Sequence, residues 1–239
     1  MKVLLHGKNS KNIAQLIQDL GMEIVDSNPD IVISYGGDGT LLTSERIYPG
    51  IPKLPIRDSR ICNKCLSHTD TAMLKKLLDR KLRLKEHQKL HINIFGKDLY
   101  ALNDFVVRNT EPIHTIRFKV KTNNTPIDEI LIGDGVVVAT PFGSTGYFKS
   151  ITNTSFNQGF ALAFNNITER KNPIYLNEDK DETLELELKR GKATLSFDNS
   201  PEIINLREEI KILFDLSDKV TKIYENTSLR CPNCRLTRG

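Results

Sequence analysis

The sequence predicts an α+β chain: an N-terminal α/β domain built on a parallel sheet, then a mainly β, sandwich-like domain. Three observations predict it. Up to about residue 82, short apolar runs alternate with segments of helical spacing. Beyond that point short β-prone runs follow one another with a single helical interruption. A glycine-rich turn also sits where a buried run gives way to a helix.

In order, Lys2–Leu5 reads as a first strand and Asn9–Leu20 as a helix, with Ile13, Leu16, Ile17 and Leu20 on one face and Gly21 ending it. Met22–Val25 and the buried run Asp30–Tyr35 are strands, Thr40–Ile47 is helical, Lys53–Ile56 is a strand, and Thr69–Lys81 carries Met73, Leu74, Leu77 and Leu78 on one helical face. The second part offers strands at Leu90–Phe95, Tyr100–Arg108, Thr115–Thr122, Gly135–Ala139, Thr183–Leu188, Ala193–Phe197 and Ile210–Phe214. Leu184, Leu186 and Leu188 alternate with Glu185, Glu187 and Lys189, the pattern of a half-buried antiparallel strand. The helical interruption falls just after Ser144.

Composition narrows the function classes. The chain has 239 residues, 38% hydrophobic and 27% charged, with a net charge of +4. That balance suits an anionic small-molecule ligand and lacks the concentrated basic face of a nucleic-acid binder. Lys81, Arg83 and Lys85 read as a solvated strand edge. No apolar run approaches the roughly 18 residues of a membrane span, and Val3–Leu5 is too short for a signal-peptide core, so a cytoplasmic protein without a membrane partner is expected.

The strongest chemical signal is Gly36-Gly37-Asp38-Gly39-Thr40, after a buried strand and opening a helix. Backbone N–H groups and the helix dipole favour an anion there, and glycines admit close approach of a phosphate. Asp38 would repel that anion, which makes sense if it takes a hydroxyl proton or contacts Mg²⁺ indirectly. The plain structural alternative is a tight turn with Asp38 as helix cap.

This motif resembles the signature shared by NAD kinases, lipid kinases of the diacylglycerol and sphingosine type and, more loosely, 6-phosphofructokinases. The stretch Gly133–Tyr147, G-D-G-V-V-V-A-T-P-F-G-S-T-G-Y, resembles the second signature of the NAD kinase family, which the lipid kinases lack. Asn103-Asp104 resembles the family's Asn-Glu/Asp element, and Asp198-Asn199 sits where the family has an Asp-Gly-Gln turn. The resemblance implies a Rossmann-like α/β domain (1–82, with the tail 216–239 returning to it) and a β domain (83–215) used for NAD binding and oligomerisation. It implies phosphorylation of the 2′-hydroxyl of the adenosine ribose of NAD, from ATP or polyphosphate with Mg²⁺, in a homodimer or homotetramer.

Residue by residue, it implies Asp38 as the catalytic carboxylate and Gly36, Gly37, Gly39 and Thr40 as lining the phosphate site. Asn103 and Asp104 would hold polar groups of the dinucleotide, Asp134 would lie near the nicotinamide, and Thr145, Tyr147 and Ser150 would frame the adenine. Asp198 is a further NAD-binding candidate, and Arg57, with Arg60, a candidate phosphate contact. Phe142 and Gly146 replace the family's Thr and Ala, and Leu54–Arg60 replaces the bacterial G-x-N-x-G-x-L-G-F stretch and looks more like the archaeal branch. Other readings of the first signature are a lipid or sugar kinase and a non-catalytic NAD sensor.

The four cysteines form two C-x-x-C pairs, Cys62/Cys65 and Cys231/Cys234. This is the pattern of a structural Cys₄ zinc site, with disulfides or free thiols as the other readings. The histidines show no metal-ligand spacing.

Overall fold

In the computed structural model, which describes residues 1–58, 69–123, 126–179 and 181–225, the early apolar runs form a parallel sheet. Its strands are β1 (Lys2–His6), β2 (Glu23–Ile24), β3 (Ile31–Tyr35) and β4 (Lys53–Ile56), in the order β2-β1-β3-β4. The far end of the last strand, β16 (Lys211–Glu225), joins parallel to β4 through Ile223 and Lys53. All five residues of β3 are buried, as expected of a strand with both faces covered.

The connecting helices are α1 (Ala14–Asp19), α2 (Asp38–Ile47) and α3 (Asp70–Leu78). The segment read as one helix from Asn9 opens instead as a 3₁₀ turn, Ser10–Ile13. Asn9 makes no cap bond, and its amide donates to Asp58 at 2.6 Å. For α3, Thr69 caps the start by accepting from the Ala72 N–H, and Arg80 at φ 57° stops it short of Lys81. Fully buried Lys53 pairs with Glu45 of α2 and donates to the Tyr48 and Ile51 carbonyls, tying that helix to β4.

The chain divides into two compact units, Met1–His87 with Val220–Gly239, and Gln88–Lys219. The second unit is a sandwich. One sheet has the order β12-β11-β10-β7-β14-β15, from Ile174–Leu176, Phe160–Asn165, Gly135–Ala139, Asp104–Asn109, Ala193–Phe197 and Ile204–Leu206. The facing strands are β8 (Ile116–Thr122), β9 (Pro126–Gly133) and β13 (Leu184–Arg190), with the start of β16 and the hairpin β5 (Arg83–Ile94) and β6 (Lys97–Ala101). Phe105, Val107, Val136, Val138 and Leu195 of the first sheet meet Phe118, Val120, Leu186, Ile212 and Phe214 of the other in one core.

The outer face of the six-stranded sheet is covered by α4 (Tyr147–Thr152), whose Phe148 packs on Val137, Ala139, Ala161 and Ala163. Both faces of β10 and β11 are therefore buried. β11 escapes the sequence reading because its residues toward the helix are alanines, weak strand formers. Two other runs differ from expectation. Tyr100–Arg108 is two strands broken at Leu102-Asn103, and Ile210–Phe214 is the start of a strand that continues to Glu225.

Candidate functional site

In the first unit, the sheet order places a topological switch point between β1 and β3, where ligands of open α/β sheets gather beyond the carboxyl ends of the strands. Gly7 follows β1 there and Gly36 follows β3. Gly7 has φ 131°, and a Cβ on it would fall 2.2 Å from the Tyr35 carbonyl oxygen. A Cβ on Gly36 would fall 2.3 Å from Thr40 Oγ1, so the turn closes only without side chains at these positions. Gly37 is the N-cap of α2 and places no side chain over the helix end. The N–H groups of Asp38 and Gly39 belong to the first turn, which has no intrahelical acceptors, so this end is set up to receive an anion.

Asp38 is the first helical residue, so the alternative of Asp38 as cap is corrected: the cap is Gly37. Arg57, just past β4, donates from Nη2 to Asp38 Oδ1 at 3.0 Å, with both side chains partly exposed. Asp58 beside it is buried and receives the Asn9 amide. Gly7, Asn9 and Asp58 were not singled out from sequence. The signal that marks the first two is the His6-Gly7-Lys8-Asn9 break at the end of an apolar strand.

In the second unit, three sequence candidates converge. Asp198, at a left-handed turn with φ 45°, is buried; its Oδ2 accepts from the Leu102 N–H at 2.5 Å and its Oδ1 from the Asn103 N–H at 2.7 Å. The Asp104 N–H adds a third backbone contact. These donations explain the break between β6 and β7, since the N–H groups serve a carboxylate instead of a ladder. Burial pushes the Asp198 carboxyl up to about 6, against the lowering effect of the three N–H groups and Lys89. Thr140 locks the other side: its N–H donates to the Asn103 carbonyl at 2.9 Å and its Oγ1 to that of Leu102 at 2.5 Å. A Cβ on Gly143 would lie 2.1 Å from the Asn103 carbonyl oxygen, so the Pro141–Gly143 turn is pressed against this segment. The result is a stiff cradle under Asn103, which is buried, and Asp104, which is half-buried.

Asp134 is not part of that cradle. It precedes β10 while Thr140 follows it, about 20 Å away at some 3.3 Å per strand residue. There Asp134 accepts from Asn166 Nδ2 at 2.9 Å and Asn109 Nδ2 at 3.3 Å. Tyr147, at the start of α4, reaches toward the Asp134 end: its Oη accepts from Asn165 Nδ2 at 3.3 Å, and Asn165 pairs with Gly135. Ser150 donates to the Tyr147 carbonyl at 2.7 Å, and Thr145 lies in the 3₁₀ turn Gly143–Thr145. Phe142 is half-buried in the same turn region.

Among the described residues no group of three or more His, Cys, Asp or Glu is placed to hold a metal ion. Cys62, Cys65, Cys231 and Cys234, with Arg60, lie outside the described residues. No helix among the described residues is long and apolar enough to cross a membrane.

The chain matches the family model for the ATP-NAD kinase C-terminal domain over residues 102–225. It is similar to NAD kinase 2 of Bacillus cereus, with 28% identity over 233 residues covering 89% of this chain and 85% of that protein. With NAD kinase of Methanopyrus kandleri the identity is 35% over 141 residues, 56% of this chain and 48% of that protein. Bacterial and archaeal proteins both match. Among solved structures, an NAD kinase from Archaeoglobus fulgidus in complex with ATP superposes with a TM-score of 0.75 at 18% identity, covering 95% of this chain and 94% of that one. Yeast NADH kinase complexed with NADH gives 0.72 at 13% identity, covering 96% and 84%. These likenesses show the same fold.

Proposed function

This chain belongs to the NAD kinase family, and on that premise we propose how it phosphorylates NAD. The acceptor is the 2′-hydroxyl of the adenosine ribose, and Asp38 orients that hydroxyl and takes its proton. The oxygen forms a bond to the terminal phosphorus of ATP or polyphosphate as the bond to the leaving phosphate breaks. Such transfer is mostly positioning and charge neutralisation, which this chain supplies without a nucleophilic group. The open start of α2 receives the donor phosphates on backbone N–H groups, with Gly36, Gly37, Gly39 and Thr40 shaping the turn. Arg57 gives one N–H to Asp38, and its other guanidinium donors serve a phosphate oxygen.

In the second unit, Asn103 and Asp104 hold dinucleotide hydroxyls on the cradle built by Asp198, with Thr145, Tyr147 and Ser150 against the adenine and Asp134 at the nicotinamide. Mg²⁺ would come with the donor, since it is commonly carried by substrate phosphates and one or two carboxylates. When bound it neutralises phosphate charge. The assembly is a cytoplasmic homodimer or homotetramer, and the two C-x-x-C pairs hold a structural zinc. The oligomer rests on the family resemblance, and the zinc on the cysteine spacing alone.

The observation that carries the reading is the Asp38 carboxylate in the first turn of α2, whose Gly37 cap adds no side-chain bond, at the switch point of a parallel sheet. The test is a turnover assay crossing NAD and NADH with ATP and polyphosphate. Wild-type protein forms NADP or NADPH from one of these pairs, and Asp38→Ala forms none while binding NAD within about tenfold of wild type. Turnover at the wild-type rate in that variant removes the role assigned to Asp38.

A further inference from the structure

At the opposite end of β7 and β14 from the Asp198 cradle, the second unit holds a cleft of about 810 Å³. One wall is the 110–115 connection. It is pinned by buried Asn109, whose Nδ2 donates to the His114 carbonyl at 2.8 Å and that of Glu111 at 3.2 Å. The Thr110 N–H adds a bond to the Lys192 carbonyl at 3.0 Å. The other walls come from the turn at Gly191 and from the end of β15.

Arg117, Arg190 and Arg207 line this cleft with Lys192 and His114. The two acids present are already engaged: Glu111 pairs with Lys192 at 3.0 Å and His114 at 2.8 Å, and Glu208 accepts from the Gly191 N–H at 2.8 Å. Among the described residues, Arg117, Arg190 and Arg207 have no carboxylate partner. Arg117 and Arg190 stand directly opposite each other on β8 and β13, because the register shifts by one residue between Leu188 and Arg190. Without the shift, Arg190 would fall on the same face as Leu188. A bulge of this kind re-aims a side chain, and like charges directly opposite in a sheet cost stability. The bulge makes Arg117 and Arg190, neither with a carboxylate partner among the described residues, cross-strand neighbours in the lining of one cleft that Arg207 also lines.

We propose that this cleft is a second anion site, separate from the Asp198 cradle, that binds a phosphate-bearing small molecule. Planar guanidiniums grip phosphate oxygens in pairs, and the volume falls within the range of small-ligand sites. The phosphate comes from an inorganic oligophosphate or from a pyridine dinucleotide, and the exposed side chain of Ile113 gives the latter an apolar surface to lie on.

The test is hydrogen–deuterium exchange of the full chain with sodium tripolyphosphate or NADP, read by peptide; because Asn109 also bonds Asp134 at 3.3 Å, loss of protection in the cleft variants separates this site from binding at Asp134. Peptides spanning 110–117 and 188–192 gain protection with one or both ligands. Protection by tripolyphosphate alone assigns an inorganic ligand; protection by NADP assigns the dinucleotide. In the double variant Arg117→Ala, Arg190→Ala the half-saturating ligand concentration rises at least about tenfold, the worth of one lost bidentate contact. The ligand-free melting midpoint of that variant does not fall, since a repulsion has been removed. Should it fail to fold, Arg207→Ser at the end of β15 supplies the same readout. No protection with either ligand, or undiminished protection in the variants, overturns the proposal.

Discussion

Replacing Asp198 by Asn makes the energetics of the cradle measurable. In the wild type both carboxylate oxygens are used, one by the Leu102 N–H and one by the Asn103 N–H. The asparagine keeps one acceptor oxygen and turns an NH₂ toward the other donor, leaving a buried N–H without a partner at a cost of about 1–3 kcal/mol. The loss depends on pH. Burial raises the carboxyl from 3.8 to about 6, so between those values the folded protein binds more protons than the unfolded chain. Stability from this group is therefore full below 3.8 and is lost as pH rises through about 6.

Between about pH 7.5 and about pH 5, the ratio of proton-binding factors changes about tenfold, worth about 1.4 kcal/mol. The asparagine does not titrate. Asp198→Asn is thus more destabilising at pH 5 than at pH 7.5, by about that amount. Urea unfolding of both proteins at both pH values measures it, followed by far-ultraviolet circular dichroism because the chain has no Trp. An equal loss at the two pH values, or a larger one at the higher, refutes the reasoning that burial governs this carboxyl.

Three further outcomes are expected. Gly143→Ala drives a Cβ to 2.1 Å from the Asn103 carbonyl oxygen; it should lower the melting midpoint and raise the KM for NAD more than it lowers kcat, as steady-state kinetics will show. Glu45→Ala leaves the fully buried Lys53 ammonium without its carboxylate, at a cost of about 3–5 kcal/mol by urea unfolding, whereas Glu45→Ala with Lys53→Met recovers much of the loss. Cys231→Ser should release bound zinc and lower thermal stability, and an unchanged zinc content by elemental analysis disposes of the Cys₄ site.

The sequence alone determined what is local. The strand–turn–helix from Ile31 to Ile47 was legible because apolar runs, glycines and helical spacing act within a few residues of one another. The Asp38 turn was legible for the same reason, and the second signature as a contiguous stretch. Local pattern also misled. Tyr100–Arg108 reads as one strand, since its β-prone residues give no sign that two N–H groups will be taken by a carboxylate more than 90 residues away. Only the folded chain sets Asp198 under Asn103, pairs Arg57 with Asp38 across 19 positions, and brings Arg117 beside Arg190 through a one-residue register shift. Each of these is a long-range pairing, chosen by which strands share a sheet and in what register, and a linear pattern of residues carries no record of that choice.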